Sequence, residues 1–128
     1  MKQVLEIDGD RFDDYAGFAR EFSTLLRDHE WKGSLDAFDD ILYGGFGTPD
    51  GDFVLRWLNS AKSRRALGWP QTVLHLEQKL ARAHPRNRDH VRAEIEAATR
   101  REGKTLFDII VGIISDHGRH SGIDLELR

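Results

Sequence analysis

The sequence predicts an α/β fold in which a three-stranded parallel sheet is packed with helices. Three observations carry that reading. Three short segments are apolar-rich or alternate apolar with polar residues, and the stretches between them show helical periodicity. Those connections are also long, as parallel strands require, since a crossover must return the chain to the same end of the sheet.

Val4 to Ile7 reads as the first strand, closed by the turn residues Asp8-Gly9-Asp10. Phe12, Tyr15, Ala16, Ala19, Phe22, Leu25 and Leu26 recur at three- and four-residue spacing and predict an amphipathic helix. A second helix is expected from Ser34, a good N-cap, to Tyr43. Gly44, Gly45, Gly47, Pro49 and Gly51 make the next stretch a loop. Phe53 to Trp57 reads as a strand, and Ser60 to Leu67 as a short helix ended by Gly68. Pro70 suits the first turn of a helix carrying Val73, Leu74, Leu76 and Leu80, interrupted at His84-Pro85. Asn87 is placed to cap a basic helix with the thin stripe Val91, Ile95 and Ala98, stopped at Gly103.

Ile109 to Ile114 is β-branched and would suit a buried strand. Helix is preferred because Thr105 and Asp108 form a capping-box pattern and Gly118 is placed to end it. Ile123, Leu125 and Leu127 then alternate with Asp124, Glu126 and Arg128 as a last strand.

With 128 residues the chain has the length of one domain, residues 1–128, large enough to bury its own core. A composition of 39% hydrophobic and 32% charged residues excludes a disordered chain. No cysteine is present, so disulfides and thiolate metal sites are excluded, which fits a cytoplasmic protein. The first residues carry acids where a secretory signal needs an apolar run, and Ile109 to Ile114 is too short to span a bilayer. Neither a membrane partner nor a cofactor is expected.

Charge is unevenly distributed. From Asp28 to Asp52 there are seven acids against one base, whereas Arg82 to Arg101 holds six arginines against three acids. The first region contains the most informative segment. On a helical wheel from Ser34 to Tyr43, Leu35, Phe38 and Leu42 share one side, flanked by Ala37 and Ile41. Asp36, Asp39, Asp40 and Tyr43 share the other. Like charges at these spacings repel by a few tenths of a kcal/mol per pair, and only Asp36 gains from the first helical turn. The charges alone fit either a solvated acidic surface or a docking face. A metal site is disfavoured, because carboxylates at these spacings converge poorly and have no supporting histidine.

The run Trp31-Lys32-Gly33-Ser34-Leu35-Asp36-Ala37-Phe38-Asp39-Asp40-Ile41-Leu42-Tyr43-Gly44 resembles the signature of barstar-type ribonuclease inhibitors. The close likeness spans these residues, and the order of elements is similar over most of the chain. The resemblance implies a barstar-like fold. It also implies a non-enzymatic inhibitor whose second helix and preceding loop block the active site of a basic ribonuclease or ribonuclease-type toxin. Asp36 and Asp40 match the two acids of that motif, Trp31 an aromatic of the loop, and Leu35 the apolar residue before the first acid. With Asp39, Tyr43 and Phe46 these make up the expected partner-binding set, in a monomer that binds no nucleic acid directly. Asp40 is expected to be the central anchor, with Asp39, Asp50 and Asp52 acting at the rim.

The match has gaps. Gly33 stands one position nearer Leu35-Asp36-Ala37 than the family's glycine does, and Ser34 replaces its usual Asn. Gly45 occupies the place of a bulky aromatic found in some members, with Phe46 one residue on. Residues 84–103 look like an inserted basic helical segment. An interaction module that binds another basic protein through the same face therefore stands as the alternative. A hydrolase using Asp36 and Asp40 is a more distant one, since no nucleophile–base pair or phosphate-cradling Gly motif is present. The arginine-rich stretch has no interleaved aromatics for nucleic-acid stacking, and the histidines show no recognised metal spacing.

Overall fold

A computed structural model describes residues 3–27, 30–43, 48 and 52–128, and among these not the side chains of Tyr43 and residues 117–121. Strands β1 (Gln3–Asp8), β2 (Phe53–Leu58) and β3 (Ile123–Leu127) form a parallel sheet in the order β1-β2-β3. Helices α1 (Tyr15–Ser23) and α2 (Leu35–Tyr43) connect β1 to β2. Helices α3 (Ser60–Ala66), α4 (Trp69–Arg82), α5 (Arg88–Thr99) and α6 (Leu106–Ser121) connect β2 to β3. The predicted α/β class and parallel pairing are what the chain adopts. The loop expected at 44–51 falls, Thr48 apart, outside the described residues.

Strand alternation decides which face is buried. Ile7, Phe53, Leu55, Trp57 and Ile123 point into the core, each at most 3% exposed. On the other face Glu6, Arg56 and Glu126 stand in register, and Arg56 pairs with Glu6 at 3.4 Å and with Glu126 at 2.8 Å. Parallel sheets are usually covered on both sides. Here one side is left to solvent, and a cross-strand row of opposite charges occupies it.

The first helix is shorter than its apolar spacing suggests. Asp14 caps it by accepting from the Gly17 N–H at 2.7 Å, and Phe12 precedes it in extended backbone while remaining buried. The ambiguous β-branched segment is helical, and its capping box is formed. Asp108 N–H donates to the Thr105 hydroxyl at 3.2 Å, and Thr105 N–H donates to the Asp108 carboxylate at 3.3 Å. Two expected helix ends need correction. Asn87 makes no side-chain cap bond to α5, and that helix ends at Thr99, before Gly103. Gly118 does not end α6. The helix runs to Ser121, and Gly122 takes the left-handed conformation, with φ +76°.

The reason lies in the sheet. Gly122 C=O accepts from the Phe53 N–H at 3.2 Å, so the helix ends where β3 must begin to pair with β2. Gly122→Ala is expected to cost about 1–3 kcal/mol, because a Cβ there is strained by φ and would strike the Asp52 carboxylate. Gly112, mid-helix with open space around it, should behave oppositely: alanine there should stabilise by about 0.5–1 kcal/mol. Urea midpoints of the two variants check the contrast. Equal effects would contradict the assigned helix end.

Candidate functional site

Helix α2 is anchored by one face, as the wheel predicts. Phe38 is fully buried, Ile41 and Leu42 nearly so, and Leu35 and Ala37 are half-buried. Ser34 caps the helix, its hydroxyl 3.4 Å from the Ala37 N–H and its carbonyl 2.9 Å from the Phe38 N–H. Asp36, Asp39 and Asp40 lie exposed on the opposite side. Among the described residues no cation pairs with Asp36 or Asp40. No described arginine therefore neutralises these two carboxylates.

The segment before the helix is held by side chains of α1 and by its own Trp31. Tyr15 OH donates to the Gly33 carbonyl at 2.5 Å, and Trp31 Nε1–H donates to the Ser34 carbonyl at 2.8 Å. Ser23 Oγ accepts from the Trp31 N–H at 2.9 Å and donates to the Ala19 carbonyl at 2.7 Å. Gly33 sits at φ +100°, a left-handed value that favours glycine. The glycine that departs from the family spacing is thus the pivot of this loop.

Trp31 of the expected set is buried. It is 3% exposed, with its ring 4.8 Å from Phe38, 5.8 Å from Phe18 and 5.8 Å from Phe22. Its ring is packed against the core and supports the loop, at the edge of the groove beside it. The backbone of Tyr43 ends α2, but its side chain, like all of Phe46 and Asp50, lies outside the described residues. Of the expected set, the structure brings Asp36, Asp39 and Asp40 to one exposed face, with Leu35 half-buried beside it.

Sequence reasoning missed Tyr15, whose spacing marks it only as an apolar helix position. Its hydroxyl pKa is pushed above the ordinary phenol value by burial. Its ring meets His75 of α4 edge-on at 4.9 Å, and its backbone N–H donates to Gln71 Oε1 at 3.0 Å. Burial lowers the His75 pKa below its ordinary value of 6.5, and nearby Lys79 and Arg82 add to that, with Glu94 opposing. A depressed folded-state pKa means the neutral ring stabilises the fold above the unfolded pKa, and that contribution is lost as pH falls. Melting temperature should therefore drop between pH 7.5 and pH 5, and less so in His75→Gln. Parallel pH profiles for the two proteins would contradict this.

A groove of about 530 Å³ beside the loop is lined by Ala16, Arg20, Thr24, Glu30 and Lys32, among others. It is a mixed-charge surface hollow. Among the described residues no group of three or more His, Asp or Glu is placed to hold a metal ion, and no helix is long and apolar enough to cross a membrane.

No curated protein and no solved structure matches the chain. The family comparison does. The sequence model described as barstar (barnase inhibitor) matches residues 2–111. That span takes in β1, the capped loop, the acidic face of α2 and the central strand, and with it the chain belongs to the barstar family.

Proposed function

We propose that this protein is a stoichiometric inhibitor of a basic ribonuclease or ribonuclease-type toxin. It blocks the enzyme's active site with α2 and the loop before it and has no catalytic activity of its own. One observation carries the reading. Asp36 and Asp40 stand exposed, with no cation paired to them among the described residues, on a helix whose opposite face is buried, in a chain of the barstar family. An arrangement that costs helix stability, turned outward by a helix anchored on its other face, suits carboxylates that meet the cations of a nuclease's phosphate-binding site. Asp40 is the central anchor, Asp36 and Leu35 flank it, and Asp39 lies toward the rim. The inhibitor acts as a monomer in the cytoplasm, which agrees with a chain that has no cysteine.

The burial of Trp31 favours one second reading, in which the same acidic face binds a basic protein other than a nuclease. Titrating the purified protein into ribonucleases and toxins from its own source separates the two. Inhibition reaching completion at a one-to-one ratio, with a complex isolated by gel filtration, is the expected result. A stable complex with a basic protein that lacks nuclease activity would establish the second reading in its place.

A further inference from the structure

The helices α4 and α5 form a closed excursion from the sheet-and-helix body. The chain leaves at Leu67 and returns at Phe107, whose N–H donates to the Leu67 carbonyl at 3.1 Å. Leu106 N–H donates to the buried Thr72 hydroxyl at 2.7 Å, which fixes the base of the excursion a second time. Beyond that base, α5 packs chiefly on α4, through Val91 and Ala98.

One flank of α4 is turned toward α1. Gln71 and His75 are four residues apart, so they share a helix face. Both meet Tyr15, one at its backbone N–H and one at its ring. On its far side the same tyrosine holds the Gly33 carbonyl. Tyr15 therefore links α4 directly to the loop that carries the docking helix.

We propose that the α4–α5 excursion braces the docking loop, with Tyr15 as the positioning residue through which it acts. The proposal deepens the inhibitor reading and rests on it for the meaning of the loop. Its physical content is pre-organisation. Gly33 and its neighbours would otherwise sample many backbone states, and a partner would have to order them on binding. A hydroxyl bond to the Gly33 carbonyl, from a residue that Gln71 contacts at its backbone N–H and His75 at its ring, removes that freedom beforehand.

Hydrogen exchange tests this without any partner. The Trp31 amide is hydrogen-bonded to Ser23 of α1, and those of Ala37 and Phe38 to Ser34 at the first turn of α2. Tyr15→Phe keeps the ring and removes the hydroxyl, so these amides should exchange about five-fold faster, the worth of one neutral hydrogen bond. Amides of β2 should be unchanged. Gln71→Ala, which alters only the α4 side, should shift the same three amides in the same direction. Affinity for an inhibited nuclease should fall by a similar factor in both variants.

Unchanged loop exchange in Tyr15→Phe overturns the proposal, as does a rise spread uniformly through β2. A response to Tyr15→Phe with none to Gln71→Ala overturns the role of the excursion. If the wild-type protein inhibits no nuclease, the proposed function fails, while the exchange result still decides whether α4 braces the loop.

Discussion

Asp40→Ala is expected to weaken partner binding on the order of 10²- to 10³-fold while leaving the melting temperature unchanged or slightly raised. Removing one member of a buried interfacial charge pair costs about 2–5 kcal/mol, chiefly because its partner stays buried and uncompensated. That range already includes a complex from this family, so the size is borrowed from it and only the ranking of the acids is new. Within the free protein, Asp40 makes no compensating contact among the described residues. It sits in the last turn of α2, where the helix dipole disfavours a carboxylate, and four residues after the like-charged Asp36. Alanine at that position relieves both penalties and has a higher helix propensity.

The two effects thus have opposite signs, and that opposition is what distinguishes an interface residue from a structural one. Asp52 provides the comparison. It is exposed just before β2, its carboxylate beside Gly122, and as a rim acid its loss should change affinity by no more than about two- to three-fold, mainly through the association rate. Isothermal titration against the inhibited nuclease, with thermal melts of the free variants, measures both quantities. Equal affinity losses at the two positions, or clear destabilisation by Asp40→Ala, would remove Asp40 from the interface.

The parts of this fold legible in the sequence are those governed by local pattern. The alternation at Ile123 to Leu127 and the apolar run at Phe53 give strands directly, and Thr105 with Asp108 settles a segment whose β-branched residues point the other way. The two faces of α2 follow from residue spacing alone. The misreadings share a different cause, which is dependence on distant residues. Gly118 and Gly122 are equally good local stop signals, and the choice between them is made by the bond from Phe53, which local spacing does not report.

Trp31 depends on distant residues in the same way. It stands in a polar loop beside an acidic helix, and rings from both α1 and α2 enclose it. Tyr15 looks like an ordinary apolar helix position because its partners, Gly33, Gln71 and His75, lie 18 to 60 residues away. Local pattern thus identified the charged face itself, while the residues that aim it emerge only from tertiary contacts.

Phe18→Ala tests whether the acidic face of α2 depends on the core behind it. Phe18 is fully buried at the centre of a ring cluster. It stacks on Trp57 at 5.2 Å and meets Phe12 at 5.7 Å, Trp31 at 5.8 Å and Phe38 at 6.2 Å. Truncation to alanine removes the buried ring and leaves a cavity that its neighbours fill only in part, at an expected cost of about 3–5 kcal/mol. A domain of this size is held by about 5–15 kcal/mol, so the urea midpoint should fall sharply while the slope of the transition stays the same.

The same substitution withdraws support from Trp31 and Phe38, the rings beneath the loop and α2. The folded fraction of Phe18→Ala should therefore also bind its partner less tightly than wild type, even at a temperature where most molecules remain native. A stability loss below about 1 kcal/mol would place Phe18 outside the packed centre. A large stability loss with wild-type affinity would mean that α2 keeps its aim without this core.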